Sequence, residues 1–538
     1  MCVDASIIDD QPAGQWVADM VKDLGALPDV TLLPRTTAFG YYDGNLVGAL
    51  ERVADHLAKP PPHAPRQRLW MIRARAVVLA SGAHEQGIAY ANNDVPGSML
   101  ASAASTYVKR YAVRPGKRAL FFTNNDGAYA DALVLHAAGV EVAGVVDVRP
   151  ESRTPGGWPA RARDAGLPAL NSSVIANVRT NLRTSARGGR RVASAEVAPH
   201  AGGAAKAIAC DLVCVSGGWN PAVHLFSQAR GTLRYDDALA AFVPDASPLP
   251  IVPVGAANGC FDAAAALVEG HTAGVAAAKR AGIVASAAAR ALRAPHAAPQ
   301  PRAALQALWA IAAPAPGAKR FVDLQNDVTA DDVALAAREG YQAIEHLKRY
   351  TTLGMGTDQG KTSNVTALAL MAGLTGKGFD EVGTTTFRPP YTPVTFGALA
   401  GASRGYLFDP VRTTPMHEWA ADRNAVFEDV GLWKRARYFP RAGEDMHAAV
   451  ARECRAVRSA CGIFDASTLG KIAVVGPDAA EFLNRLYINH WSNLAVGRAR
   501  YGILLREDGF IYDDGVVART APDRFHVTTT TGGAARVL

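Results

Sequence analysis

At 538 residues the chain is too long for one hydrophobic core to keep growing, so two to four domains are expected. Hydrophobic residues make up 49%, no run of about 18 apolar residues is free of charge, and the opening "MCVDASIIDD" is acidic, so no membrane span and no secretory signal are expected. The net charge of +7 arises from interleaved basic and acidic residues with no basic stripe for nucleic acid, which points to a mildly basic solvated surface and a cytoplasmic location.

In chain order, "IIDDQPAGQWVADMVKDL" reads as a helix from the middle of a domain. "RAVVLASGAHE", Arg75 to Glu85, is a short β-branched run ending in a small-residue turn, as a parallel strand does when its C-terminal end faces a nucleotide. Ser81 and Gly82 are the candidate cofactor contacts there. His84 is either near that cofactor or a solvated loop histidine.

From Lys117 to Ser152, strand "ALFFT", a polar turn, an apolar-periodic helix up to Gly139 and strand "EVAGVVDV" make one βαβ unit. Its turn "TNNDGAYA" has only Gly127 where a G-x-G-x-x-G would stand, and Asp147 ends the next strand where an acidic residue would meet a ribose hydroxyl. The turn is either a degraded cofactor site or a purely structural Rossmann unit. Cys210 and Cys214, four apart in a strand-like run, should share a face, as buried small hydrophobes or as a redox or metal pair. The six scattered cysteines argue for reduced thiols.

"PIVPVGAANGCFDAAAALVEGHTAGVAAAKRAG", Pro250 to Gly282, is a strand ending at Gly255 followed by a long helix whose N-terminus suits a phosphate or flavin edge. A strand ending in "ASG", a complete βαβ insertion and a return strand ending in "GAANG" together resemble the two-dinucleotide-domain flavoprotein reductases. In that family a first glycine fingerprint precedes the position of Met1, so the chain is expected to begin inside its first domain. Residues 284–319, rich in alanine and proline, read as a linker with a helical portion.

Thr329 can cap a helix with Asp332 three residues on; a second helix, "YQAIEHLKRY", then leads to "GMGTDQGKTSN" and a third, "VTALALMAG". This pattern resembles the bacterioferritin-associated-ferredoxin-like [2Fe–2S] domain, but its ligand positions would be Asp323, Gln325, Asp358 and Ser363. None offers the thiolate that such clusters need, so a scaffold without a cluster is expected. It serves as packing or as a wall of an interface, with a magnesium or calcium site on the two aspartates as the alternative.

"GMGTDQGKTSN", "DEVGTTTFRPPYTPVTFGALAG" (Asp380 to Gly401) and "LLPRTTAFGYYDGNLVGALERV" (Leu32 to Val53) closely resemble the sarcosine oxidase α-subunit family. The segment from Arg458 to Leu538, with "FDASTLGKI", "GPDAAEFL", "GRARYG" and "EDGFIYDDG", is similar to the start of the aminomethyltransferase folate-binding fold. The resemblance implies a heterotetramer with β, γ and δ subunits that demethylates sarcosine to glycine, makes hydrogen peroxide, and captures the one-carbon unit on tetrahydrofolate as 5,10-methylenetetrahydrofolate. It also implies NAD in the divided dinucleotide domain, FMN shared with the β subunit and FAD on the β subunit. Asp514 matches the family's functional aspartate, with Asp513 as a turn residue before glycine. Tyr501 either packs on the folate or is an ordinary half-buried strand tyrosine.

The expected fold is α/β: divided Rossmann-like domains, a small helical ferredoxin-like module without cluster, and a partial α+β aminomethyltransferase-type domain. The divisions are a first dinucleotide-binding domain over 1–115, an inserted Rossmann-like domain over 116–235, and the return over 236–283. The linker over 284–319, the module over 320–385, a connector over 386–440 and the folate domain over 441–538 follow. The last domain is expected to be cut short. Arg388, Arg435 and Arg437 either clamp a phosphate or pair with acidic groups of a partner subunit. No G-x-S-x-G, H-E-x-x-H or Walker loop supports a hydrolase or NTPase. Two other readings remain: the α subunit of a related amine, opine or proline dehydrogenase, and a truncated silent scaffold.

Overall fold

The computed structural model describes residues 7–181, 189–283, 293–300 and 302–538. The chain divides into two compact units, Met1–Leu399 and Ala400–Leu538.

The centre of the first unit is a five-stranded parallel sheet in the order Ala169–Leu170, Glu141–Asp147, Arg118–Thr123, Leu212–Ser216, Ser98–Leu100. Its strands are near-continuous apolar runs because both faces are covered. Side chains alternate along each strand. Phe121, Val145, Leu212 and Cys214 therefore join Tyr129 and Leu135 of the helix Gly127–Ala137 in one core. Leu120, Phe122, Val146, Val213 and Val215 form a second core with Ile175, Val178 and Val192, which belong to the antiparallel sheet Ser173–Asn181, Arg191–Pro199, Lys206–Ala209.

Cys210 and Cys214 do not share a face. The strand begins at Leu212, the chain turns just before it, and Cys210 joins the second core while Cys214 joins the first. The N–H of Cys210 bonds Ala193 O at 3.2 Å and that of Asp211 bonds Arg118 O at 3.0 Å, so the two residues follow different neighbours. Both thiols are buried and free.

The divided domain closes around this insertion. Val77–Leu79 pairs in parallel with Ile251–Pro253, joining segments about 170 residues apart, and the helix Ala263–Arg280 packs against them. A three-stranded antiparallel sheet, Thr36–Tyr42, Leu46–Arg52 and Gln67–Arg73, lies alongside. The opening helix forms at Ala13–Ala26. Among the described residues of 284–319 there is no helix; the rest of that stretch, 284–292 and 301, lies outside the described residues.

The small module has its three helices at Ala330–Arg338, Ile344–Thr351 and Asn364–Thr375, the first opened by the reciprocal Thr329–Asp332 capping box. Its core of Val333, Leu347, Leu353 and Met371 is continuous with Ala89 and Phe242 of the dinucleotide part.

In the second unit a four-stranded antiparallel sheet runs Gly470–Val475, Arg524–Thr529, Ile511–Ala521, Ala499–Leu505. One face packs on Trp491, Leu483 and Tyr487. "DDG" lies inside the strand Ile511–Ala521, so Asp513 is not in a turn. Gly515 is required there because a Cβ would collide with the carbonyl oxygen of Thr528 on the next strand. Among the described residues no helix is long and apolar enough to cross a membrane.

Candidate functional site

In the first unit the end of the Val77–Leu79 strand, the Gly127 turn and the return segment enclose a cavity of about 570 Å³, lined by Gly82, Ser102, Gly127, Asp131, Trp219 and Ala256 among others. That is the size of a small-molecule site. A second space of about 210 Å³ adjoins it and shares Gly127, Trp219, Phe261 and Arg302. Gly82 has φ +76° and nothing within 4 Å of where a Cβ would stand, so its wall is open to a ligand. Ser81 donates its hydroxyl to Ala222 O at 2.8 Å, and Ala222 returns its N–H to Gly82 O at 2.9 Å, which fixes the turn.

At each of the three small-residue turns one backbone donor is already engaged. Gly127 N–H donates to Asn125 Oδ1 at 2.8 Å, Ala265 N–H to Asp262 Oδ1 at 3.0 Å, and Gly255 N–H to Glu269 Oε2 at 2.7 Å. Asp147 is fully buried, holding Arg149 at 2.8 Å and accepting from Tyr129 Oη at 2.9 Å, with no face left for a ribose. This turn is a structural Rossmann unit in its chemistry: Asp126 completes the network by pairing with Arg149 at 2.9 Å.

Two buried carboxyls that the sequence did not mark lie at the crevice, Asp131 in its lining and Glu85 behind Ser102. Glu85 is pushed up to about 7 by burial and by Asp131, although Ser102 donates both N–H at 2.9 Å and Oγ at 2.6 Å to it. Asp131 is raised to about 6, again chiefly by burial.

His84 is no solvated loop histidine. It lies in the strand Ala83–Glu85, lines a small cavity with Lys361, Asn364 and Tyr391, and has its Nε2 buried without a partner among the described residues. His224 stacks on Tyr391 with ring centres 3.6 Å apart, and burial, His84 and Lys361 together lower it to about 3. Lys361 donates to Tyr391 O at 3.1 Å.

At the frame that holds no cysteine, Asp323 and Ser363 still face each other at 3.4 Å, while Gln325 bonds Thr357 and Asp358 accepts from Gly360 N–H. The buried Asp323 carboxylate collects N–H donors from Gln325, Asn326 and Gly354 at 2.9, 3.2 and 2.7 Å. Among the described residues no group of His, Cys, Asp or Glu is arranged to hold a metal ion. Of the three arginines weighed for phosphate, Arg435 pairs with Glu428 at 2.7 Å and Arg437 with the same carboxylate at 3.8 Å, both within this chain.

In the second unit the register opposes Ile503 to Asp514 and Tyr501 to Val516, so these four share the sheet face turned away from the Trp491 core. Tyr501 is 56% exposed and Val516 42%. Asp514 is half-buried, and its carboxylate receives no hydrogen bond from the described residues. A cavity of about 760 Å³ in this unit lies elsewhere, against Tyr487, Tyr512 and Arg536.

Residues 317–403 match the sarcosine oxidase A3 domain family and residues 416–538 the GCVT N-terminal domain family. The chain is 45% identical to the sarcosine oxidase subunit alpha of Corynebacterium sp. (strain P-1), over 99% of this chain and 54% of that protein. It is 43% identical to the same subunit of Rhizobium meliloti (strain 1021), over 99% and 52%. It spans about half the length of the curated relatives it matches. Among solved structures, the L-proline dehydrogenase of P. horikoshii shares the fold, with TM-score 0.51 and 19% identity over 73% of this chain and 69% of that one. Along 99% of its own length the chain is thus similar to sarcosine oxidase α subunits, and its residues 317–403 match the A3 domain of that enzyme.

Proposed function

We propose that this chain works as the α subunit of a sarcosine oxidase, together with β, γ and δ subunits. The complex converts sarcosine to glycine and hydrogen peroxide and delivers the one-carbon unit to tetrahydrofolate as 5,10-methylenetetrahydrofolate. FAD on the β subunit and FMN shared with it supply the two-electron oxidation. This chain contributes a wall of the flavin site, a dinucleotide crevice and a folate-binding face.

The observation that carries the folate part is the sheet face around Asp514. A tyrosine and two aliphatic side chains flank a carboxylate that has no hydrogen-bond partner among the described residues. Such a face supports a flat heterocycle by apolar contact while the carboxylate accepts from its N–H edge and balances positive charge during capture. The crevice suits NAD by its volume and by Trp219 and Phe261, and Gly82 supplies an open wall. NAD is a structural ligand in this scheme, since oxygen takes the electrons.

The complex given sarcosine and tetrahydrofolate is expected to yield methylenetetrahydrofolate. Asp514→Asn should release formaldehyde instead, at unchanged sarcosine turnover. An unchanged yield of methylenetetrahydrofolate would remove Asp514 from the reaction.

A further inference from the structure

We infer that Arg302 is the phosphate anchor of the crevice, binding the diphosphate of a dinucleotide in place of the backbone amides of a glycine loop. The inference rests on the reading of the crevice as a dinucleotide site. Three observations lead to it.

The first is the engagement of the amides. Asn125, Asp262 and Glu269 hold the N–H groups of Gly127, Ala265 and Gly255. A Cβ on Gly127 would stand 3.0 Å from Asn125 Oδ1 and 3.2 Å from Trp219 Nε1, so the turn is closed to a group of phosphate size. A diphosphate resting against these three turns is therefore held by side chains rather than by these amides.

The second is position. Arg302 is the cation common to both parts of the crevice, in the wall with Gly127, Trp219 and Phe261. Its guanidinium lies 5.6 Å from the Phe261 ring centre, which fixes the planar group without consuming its donors.

The third is charge. The acids whose fields reach Arg302 are Asp126 and Asp262. Asp126 is committed to Arg149 at 2.9 Å and to Ala303 N–H at 2.8 Å. Asp262 is committed to the N–H groups of Ala265 and Gln300 at 3.0 and 2.9 Å. No ion pair joins either acid to Arg302 among the described residues, which leaves its forked donors for an anion. Lys109, Arg110 and Asp131 line the far part of the cavity.

Equilibrium dialysis of the full chain with NAD, ADP-ribose and adenosine tests this. Arg302→Gln is expected to weaken NAD and ADP-ribose at least tenfold and to leave adenosine unchanged. Arg302→Lys, which keeps a point charge without the fork, should recover part of the loss. It also carries the comparison if the glutamine variant melts early. ADP-ribose binding of wild-type strength in both variants would overturn the anchor while leaving the dinucleotide reading intact. A wild-type chain that binds none of the three would overturn that reading itself, and the anchor with it.

Discussion

Asp513 and Asp514 are neighbours in the chain whose carboxylates serve opposite faces of one sheet. Asp513 turns inward, where it accepts the N–H of Asp514 at 2.7 Å and the N–H and hydroxyl of Thr530 at 3.1 and 3.3 Å. Asp514 turns to the face of Tyr501, Ile503 and Val516. One residue of register separates a structural carboxylate from the proposed folate acceptor.

The two aspartates should therefore fail in different ways. Asp513→Ala removes the buried acceptor of the Asp514 and Thr530 N–H groups and should cost about 1–2 kcal/mol of stability. Asp514→Ala should stay within about 0.5 kcal/mol, since no native contact is lost. Thermal unfolding of the second unit's signal checks both, and equal losses would contradict the division of labour.

The buried carboxyls Glu85 and Asp131 set a pH dependence. Glu85 rises from 4.5 to about 7 on folding, so its contribution is fully present below pH 4.5 and is lost as pH rises through 7. Asp131 acts in the same direction, up to about 6. His224, lowered from 6.5 to about 3, acts oppositely: it favours folding above 6.5 and loses that contribution as pH falls toward 3. Glu85→Gln should thus raise the melting temperature at pH 8 and leave it unchanged at pH 4. The gain at pH 8 is on the order of 3 kcal/mol before loss of the Ser102 bonds is subtracted. Melting curves from pH 4 to 8 that run parallel for both proteins would contradict this.

The frame without cysteines holds itself closed. Gly360 has φ +71°, and a Cβ there would collide with the Asn364 side chain, whose Nδ2 bonds Thr385 Oγ1 at 2.8 Å. Gly360→Ala should cost about 2 kcal/mol or more. Asp323→Ala should cost a similar amount by stranding the Gln325, Asn326 and Gly354 amides. Protease sensitivity of the 354–363 loop is the readout; resistance equal to wild type in both variants would show that the loop is fastened elsewhere.

The elements with strong local signals were legible in the sequence. The Thr329 capping box, the "ALFFT" and "EVAGVVDV" strands and the pairing of the "ASG" and "GAANG" strands follow from periodicity, capping chemistry and small-residue turns. The inward and outward roles of Asp513 and Asp514 were half legible, because "DDG" reads equally as a turn until the Thr528 carbonyl explains the glycine. Arg302, Trp219 and His224 carry no motif, and the motif that holds Lys361 does not show what it faces; segments far apart in the chain bring them to their cavities. The facing of Cys210 and Cys214 failed because spacing predicts a face only within one uninterrupted strand.

The most direct test is calorimetric titration of tetrahydrofolate into the complex, wild type against Asp514→Asn. Saturable binding by the wild type with at least tenfold weaker binding by the variant is the predicted result. Equal affinity in the two proteins would contradict the assignment of this sheet face to folate.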